Sequence, residues 1–304
     1  MNDYIQSIIL GIVEGLTEFL PVSSTAHLRI TEALMKIRLD DSVCSIGNAA
    51  CLQDVAYWKM YTIVIQLGAI LALALLFLGR IARFVRNFPR GENGDRTWLN
   101  HPISLTLVAF ASTSAPALLL HKWSEKNLGS MTAIAIALLV GGIAMWIVDA
   151  WSNHVEPNTT HVEEMTLTQA IWIGLCQTVS AVFPGTSRSM STIAAGQLAG
   201  LDRPSALEFS FLLSIPTMIA ATGWDLFKEV HPGKAAGAAA AHVVMNPERW
   251  LVLLIGTVVS FIVAFGVVEW FLAWVRKHGF TLFAIYRILL GIALLIWGAK
   301  YIGG

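Results

Sequence analysis

The chain has 304 residues, of which 56% are hydrophobic and only 13% are charged. A soluble domain carries about 25% charged residues and could not bury so much apolar surface, so the composition favours a polytopic helical membrane protein. The formal net charge is zero and no basic stripe is interleaved with aromatic residues, which argues against a nucleic-acid partner.

The apolar segments follow one another in a regular order along the chain. An interrupted region at 4–36 is followed by three spans, and a second interrupted region at 165–200 is followed by three more. A bilayer crossing takes roughly 20 apolar residues, and six segments reach that length. The predicted spans are 58–79, 100–121, 131–152, 204–228, 249–275 and 280–300.

The two interrupted regions are each predicted to form a re-entrant pair of half-length helices. Proline, glycine and hydroxyl residues break the middle of both regions. Broken backbone at membrane depth is tolerated only inside protein or beside a water-filled cavity. The predicted fold is therefore all-α, with six full transmembrane helices and two re-entrant broken-helix elements.

The two interrupted regions also match each other in sequence. Identical or similar residues recur at a constant offset of 163 without a gap: Gly11/Gly174, Glu14/Gln177, Pro21/Pro184 and Ser24/Ser187. We therefore expect a single membrane domain over 1–304 made of two repeats, 1–155 and 160–304. Since each repeat has an odd number of crossings, the repeats would be inverted and their broken elements would meet near the midplane.

Charge bias gives an incomplete answer on orientation. The segment after the first span is rich in arginine, which favours a cytoplasmic location for residues 80–96. That orientation puts the loop with Cys44 and Cys51 outside, where the two thiols could pair. The cysteine pair favours the same orientation, but basic residues are nearly balanced between the two faces. Both the orientation and the disulfide are left open.

Glu14 and Glu18 lie four residues apart and so on one face of a helix. A carboxylate at the bilayer centre costs roughly 2.5–3.5 kcal/mol on insertion scales, so both must face a polar interior. Two like charges one turn apart repel unless a cation lies between them, and hard oxygen ligands suit Mg²⁺ or Ca²⁺ held together with a phosphate. The alternative is an interfacial pair that reaches water or carries a proton.

Ser23, Ser24 and His27 follow Pro21 at the predicted start of the second half-helix. Taken alone, such serines are more often helix caps than catalytic groups. His27 lies three residues after Ser24, however, and a hydroxyl beside an imidazole is the arrangement of a nucleophile and its base.

Glu269 and Arg287, further along the chain, are expected to form a buried pair.

The second broken element carries an intramembrane arginine, Arg188, whose planar guanidinium suits phosphate oxygens. The alternative is that Arg188 only forms an ion pair with Glu18, which would leave the surrounding hydroxyls without a purpose. Together with the helix N-termini, the hydroxyl residues predict a phosphate-binding set: Ser23, Thr186, Ser187, Ser189 and Thr192. The combination predicts hydrolytic phosphoryl transfer on a lipid-linked diphosphate.

These segments resemble the undecaprenyl-diphosphate phosphatases, the bacterial enzymes also called bacitracin-resistance proteins. EGLTEFLPVSSTAH (14–27) resembles the first signature of that family, and PGTSRS (184–189) resembles the second. Similar stretches also occur at 65–70, 208–216 and 286–287, so the resemblance covers nearly the whole chain.

The resemblance implies removal of the terminal phosphate of undecaprenyl diphosphate, which recycles the carrier lipid for cell-wall synthesis and confers bacitracin resistance. It also implies dependence on Mg²⁺ or Ca²⁺, with Glu14 and Glu18 as the metal ligands, and a site in the bacterial inner membrane that is open to the periplasm. The functional positions carried over from the family are Glu14, Glu18, Ser24, His27, Ser187 and Arg188, and all of these except Ser187, a predicted phosphate ligand, are predicted to be catalytic.

A transporter or flippase for lipid phosphates is the main alternative, because inverted repeats with broken helices are also a transporter layout. The Ser24/His27 pair favours an enzyme, since a protein that only binds phosphate needs no such couple. A type-2 phosphatidic-acid phosphatase would need a histidine soon after Arg188, and the next is His231. The sequence leaves a homodimer and a phosphoserine intermediate open.

Overall fold

The computed structural model describes residues 2–37, 44, 49–91, 94, 96–128, 130–230 and 245–298. Within these ranges the regular elements are helices, accompanied by an isolated β-bridge between Thr159 and Leu201. The prediction of an all-α fold is therefore confirmed.

Eleven α-helices follow one another in the described ranges. The first six are α1 (Asp3–Thr17), α2 (Ser24–Leu34), α3 (Ala49–Leu76), α4 (Leu78–Asn87), α5 (Pro102–Leu128) and α6 (Met131–Ser152). The other five are α7 (Leu167–Val182), α8 (Arg188–Leu198), α9 (Arg203–Val230), α10 (Pro247–Val275) and α11 (Thr281–Ala293), and a π-helical turn (Leu294–Gly298) extends the last of them.

Six helices are long and apolar enough to cross a bilayer, which confirms the predicted polytopic membrane protein. They correspond to the six predicted spans: Cys51–Leu76, Pro102–Leu120, Met131–Ser152, Arg203–Phe227, Pro247–Val275 and Thr281–Gly298. The interrupted regions form the short pairs α1/α2 and α7/α8, as predicted. At about 1.5 Å per residue, none of these four helices reaches the roughly 30 Å thickness of a hydrocarbon core.

The ungapped match between the two broken elements is wrong at the start of the second half-helix. In the first turn, residues 18–23, Ser23 has a φ of 74° and precedes α2. In the second turn, residues 183–187, Ser187 has a φ of 71° and precedes α8. The second turn holds one more residue between its proline and this serine. Ser24 therefore corresponds to Arg188, because each is the first residue of its helix.

Each broken element packs mainly against a helix of the other half of the chain. Helix α1 lies against α10, while α7 lies against α5. Glycine permits both contacts, since a Cβ atom on Gly11 or Gly174 would collide with a carbonyl oxygen of the neighbouring helix. This reciprocal packing is compatible with two related halves, 1–155 and 160–304, and their inversion across the membrane stays a prediction.

The expected ion pair between Glu269 and Arg287 is wrong. Arg287 is fully buried, and its hydrogen-bond acceptors are backbone carbonyl oxygens. Its Nη1 donates to Pro21 at 3.2 Å in the first turn, and its Nη2 donates to Gly185 at 3.2 Å and Thr186 at 2.8 Å in the second. A guanidinium has five N–H donors, so a single side chain can serve the carbonyl groups that both turns leave outside helical hydrogen bonds.

Cys44 and Cys51, whose pairing the sequence leaves open, are joined by a disulfide. Cys51 lies at the N-terminal end of α3, and the arginine-rich α4 follows the C-terminal end of that helix. Because α3 crosses the bilayer, the disulfide and the arginine-rich segment lie toward opposite faces.

Replacing Arg287 by Met is expected to destabilise the protein, because carbonyl oxygens of both turns would lose their donor inside the membrane. Each buried acceptor without a partner costs about 1–3 kcal/mol. The measurement is the apparent Tm in detergent, read as the monodisperse fraction left after heating. Arg90→Met, at an exposed position after α4, is the control. An Arg287→Met protein as heat-resistant as the control would show that the turns do not depend on this side chain.

Candidate active site

The first and second turns face one cavity of about 240 Å³. Five of the predicted site residues line it: Glu18, Ser23, Ser24, Ser187 and Arg188. Residues that are far apart in sequence therefore meet at one place in the membrane region, as the paired broken elements predict.

Glu18 connects the two turns through its carboxylate. Arg188 donates from Nη2 to Oε1 of Glu18 at 3.0 Å, and the hydroxyl of Ser24 donates to Oε2. The Glu18 side chain is 10% exposed and that of Arg188 is 14% exposed, so the ion pair is largely shielded from solvent. Charge-assisted hydrogen bonds of this kind are roughly twice as strong as neutral ones. Glu18 thus holds the first residues of α2 and α8 beside each other.

Glu14 lies one helical turn before Glu18 and is fully buried. Neither of its carboxylate oxygens has a hydrogen-bond partner among the described residues, and the same is true of Nη1 of Arg188. A buried carboxylate without a partner is strongly unfavourable, so two free oxygens fit the divalent cation that the family resemblance implies. No group of three acidic, histidine or cysteine side chains in the described ranges is arranged as a metal site. Further ligands would have to come from neutral oxygens or from the substrate.

Ser24 and His27, expected to be a nucleophile and its base, are not hydrogen-bonded to each other in this arrangement, because the Ser24 hydroxyl donates to Glu18 instead. His27 directs Nδ1 to the carbonyl oxygen of Ser23 at 2.7 Å and Nε2 to the hydroxyl of Tyr286 at 2.6 Å. A carbonyl oxygen only accepts, so Nδ1 carries the proton, and Nε2 of the neutral ring accepts from Tyr286. The spacing along α2 correctly makes His27 a near neighbour of Ser24, but the ring turns toward α11.

Three predicted phosphate ligands do not line the cavity. Ser189 and Thr192 are buried: the Ser189 hydroxyl donates to Leu20 O at 3.0 Å, and Thr192 Oγ1 lies 2.6 Å from Ser210 Oγ. Thr186 is also buried, and its carbonyl oxygen accepts from Arg287. Ser189 thus joins α8 to the first turn and Thr192 joins α8 to α9, and the role of these three residues as phosphate ligands stays a prediction.

Sequence reasoning missed a set of neutral polar residues that complete the cavity wall. They come from α3, α5, α7 and α9: Gln66, Thr113, Gln177, Ser180 and Thr217. The available signal is an isolated amide or hydroxyl side chain within an apolar span, and Gln177 also aligns with Glu14. Tyr286, the partner of His27, gives no such signal because tyrosine is common near membrane interfaces.

Ser23 and Ser187 both have a positive φ but differ in their capping hydrogen bonds, so we expect substitution by glycine to change their stability differently. A non-glycine residue held in such a region costs of order 1–3 kcal/mol, and glycine relieves that strain. Ser23 makes no capping hydrogen bond with its side chain, whereas Ser187 Oγ accepts from Met190 N at 3.4 Å. We expect Ser23→Gly to have an apparent Tm at least equal to that of the wild type, and Ser187→Gly to have a lower one than Ser23→Gly. The reverse order would contradict this assignment.

The chain is similar to known proteins over nearly its whole length. The family described as bacitracin resistance protein BacA matches residues 7–293. A protein named undecaprenyl-diphosphatase from Koribacter versatilis is 54% identical over 99% of this chain and 100% of its own length. Proteins of the same name from Rhizobium etli and Caldanaerobacter subterraneus are 40% and 38% identical, over 96% and 99% of this chain and 96% and 98% of their own lengths.

Both the family match and these relatives extend over nearly the whole chain. The match begins within α1 and ends at the last residue of α11, so it includes both turns and the cavity between them. The chain therefore belongs to the bacitracin resistance protein BacA family.

Proposed function

We propose that this protein is a membrane phosphatase that hydrolyses undecaprenyl diphosphate to undecaprenyl phosphate and inorganic phosphate. Its relatives carry the name undecaprenyl-diphosphatase. The observation that carries the proposal is the hydrogen-bonded cluster of Glu18, Ser24 and Arg188, which places a hydroxyl, a proton acceptor and an anion-binding group in one cavity. Its biological role would be to recycle the lipid carrier for cell-wall synthesis, with bacitracin resistance as a consequence.

The terminal phosphoryl group would bind between the first residues of α2 and α8. Arg188 has a free Nη1 to offer it, and the Ser187 hydroxyl lines the same cavity. Because Ser24 and Arg188 begin their helices, the unpaired N–H groups and positive dipole ends of both helices lie beside the phosphate position. Such fixed donors stabilise the charge of a phosphoryl transition state without reorganisation.

Ser24 would either attack the terminal phosphorus or orient the attacking water. In the first case Ser24 Oγ bonds to phosphorus while the bond from phosphorus to the bridging oxygen breaks and undecaprenyl phosphate leaves. The hydroxyl proton passes to Glu18, which already accepts it. Water would then cleave the Ser24 Oγ–phosphorus bond and release inorganic phosphate. His27 would handle a second proton in exchange with Tyr286, 2.6 Å away, and would hold the carbonyl of Ser23 in place.

Glu14 and Glu18 would hold Mg²⁺ or Ca²⁺, whose charge offsets that of the diphosphate oxygens. The two free oxygens of buried Glu14 support this assignment.

The proposed location is the bacterial inner membrane, with the cavity open to the periplasm. The disulfide of Cys44 and Cys51 supports this orientation, since disulfides persist in oxidising compartments and the arginine-rich α4 lies toward the other face. Undecaprenyl diphosphate and membrane lipids are the proposed partners, with no nucleic acid, and a homodimer is compatible with the membrane location.

A lipid-phosphate transporter using the same residues only for binding is the second candidate. The hydrolase name of the relatives and the proton-transfer contact between Ser24 and Glu18 both favour catalysis. A transporter that only binds the lipid phosphate does not need a hydroxyl that donates a hydrogen bond to a carboxylate.

Purified wild-type protein is expected to release phosphate from undecaprenyl diphosphate in the presence of Mg²⁺. The release should stop when EDTA removes the Mg²⁺. Glu18→Gln and Arg188→Ala should each reduce kcat/KM by a factor of about 10³, the scale of a lost charge-stabilising contact. Glu156→Gln and Arg90→Ala, at exposed positions, are the matched controls. Lipid binding without phosphate release by a folded wild-type protein would favour the transporter.

Ser24→Ala is expected to lower kcat by roughly 10²–10⁴, because it removes either the nucleophile or the group that orients water. Tyr286→Phe should lower it only about five- to tenfold, the effect of one hydrogen bond of about 1 kcal/mol. Tyr61→Phe, which removes a hydroxyl bonded to Ser7, controls for the general effect of such a change. Trapping of radioactive phosphate on wild-type protein but not on Ser24→Ala would identify a phosphoserine. If Ser24→Ala turned over at the wild-type rate, Ser24 could not be the nucleophile.

A further inference from the structure

Gln177 is a buried polar residue that the mechanism above does not use. It lies on α7 at the position that aligns with Glu14 on α1, and it lines the same cavity as Glu18 and Arg188. Its side chain is 1% exposed, and its Oε1 has no hydrogen-bond partner among the described residues. An amide oxygen left in this state inside a membrane protein is costly unless a ligand satisfies it.

The hydrogen bonds around Gln177 fix which way its carboxamide points. Nε2 of Gln177 donates to Thr217 Oγ1 at 3.2 Å, and the Thr217 hydroxyl donates its own proton to Leu213 O at 2.7 Å. Thr217 can therefore only accept from Gln177, so the amide nitrogen must face Thr217. The carbonyl oxygen is the atom that remains free, and this assignment follows from the hydrogen-bond network.

The neighbouring hydroxyl groups make this wall rich in acceptors. Thr113 donates to Gly174 O at 2.7 Å, and Ser180 donates to Gln177 O at 2.7 Å. Their protons are thus engaged by backbone carbonyls, and what they retain is lone pairs. A phosphate needs donors, whereas a hard cation needs oxygen lone pairs, so this wall suits the cation better.

We propose that Oε1 of Gln177 is a ligand of the divalent cation held by Glu14 and Glu18. The inference rests on the proposed cation site and adds a ligand from the second half of the chain. Glutamine carbonyl oxygens are ordinary ligands of Ca²⁺, and a neutral third ligand adds nothing to the charge of the two carboxylate ligands. The cation would then be bound by both broken elements, so that it completes a site that neither element forms alone.

Thr217 would act as a positioning residue in this arrangement. By accepting from Nε2 it fixes the orientation of the Gln177 carboxamide, and in this orientation the carbonyl oxygen would be the atom presented to the cation. Thr217→Ser keeps the accepting hydroxyl, and Thr217→Val removes it with little change of volume. The first variant should retain cation affinity, and the second should lose part of it.

The test measures cation affinity directly, in detergent and without lipid substrate. Calorimetric titrations with Mg²⁺ and Ca²⁺ are made on the wild type, Gln177→Met and Gln177→Glu, with and without inorganic phosphate. We expect Gln177→Met to weaken the cation about tenfold, and Gln177→Glu to strengthen it about tenfold because a third carboxylate adds ligand charge. Gln197→Met is the matched control, since Gln197 is also a buried helical glutamine with an unpartnered Oε1, but it bonds to Asp149 outside the cavity.

The two substitutions at Gln177 separate a cation ligand from a phosphate ligand. If Gln177 bound phosphate, Gln177→Glu would repel the anion and weaken its binding while cation affinity stayed at the wild-type level, which would overturn the proposal. Should Gln177→Met not fold, Gln177→Glu and Thr217→Val still decide the question. If the wild type binds the cation and all these variants bind it with the same affinity, then Gln177 is not a ligand, although the site of Glu14 and Glu18 stands. No cation binding by the wild type would reject the proposed metal site as well.

Discussion

The guanidinium of Arg287 fixes the relation between the two broken elements. A bilayer offers no water to the carbonyl groups that a broken helix leaves free, so each such group needs a partner from the protein. Arg287 supplies donors to Pro21 in one turn and to Gly185 and Thr186 in the other. Its position on α11 therefore determines where the turns lie, and only with the turns in register can Glu18 contact both Ser24 and Arg188.

The cavity that results is electrostatically incomplete. Glu18 lines the cavity and is paired with Arg188, whereas Glu14, one helical turn earlier, has no hydrogen-bond partner for either oxygen among the described residues. The hydroxyl groups of Thr113, Ser180 and Thr217 in the cavity wall add acceptors, since their protons are directed to backbone carbonyls. An excess of acceptors is unfavourable in a buried site unless a cation occupies it. A cation in turn makes the site attractive to a diphosphate, so the two ligands would bind cooperatively.

Sequence patterns predict most of the architecture, because bilayer thickness and proline chemistry act on local sequence. Sequence patterns do not predict which partner a side chain binds when the possible partners are brought together only by the folded chain. Helical spacing places His27 near Ser24, but the partner of its ring, Tyr286, lies 259 residues away. Charge pairing suggests Glu269 for Arg287, whereas the unpaired carbonyls of two turns compete for the same donors. The offset of 163 cannot reveal the extra residue between Pro184 and Ser187, because positions 23 and 24 of the first element are both serine.

The packing of α1 against α10 has a consequence for biogenesis. The hydroxyl of Ser7 donates to the carbonyl of Val252, so the first helix completes its contacts with a segment translated 245 residues later. Until α10 has been inserted, the element that carries Glu14 and Glu18 lacks its main protein neighbour. A partly synthesised chain thus has no assembled cavity, and the enzyme becomes competent only when nearly the whole polypeptide has entered the membrane. Truncated products of interrupted translation would accordingly be inert toward the lipid carriers around them.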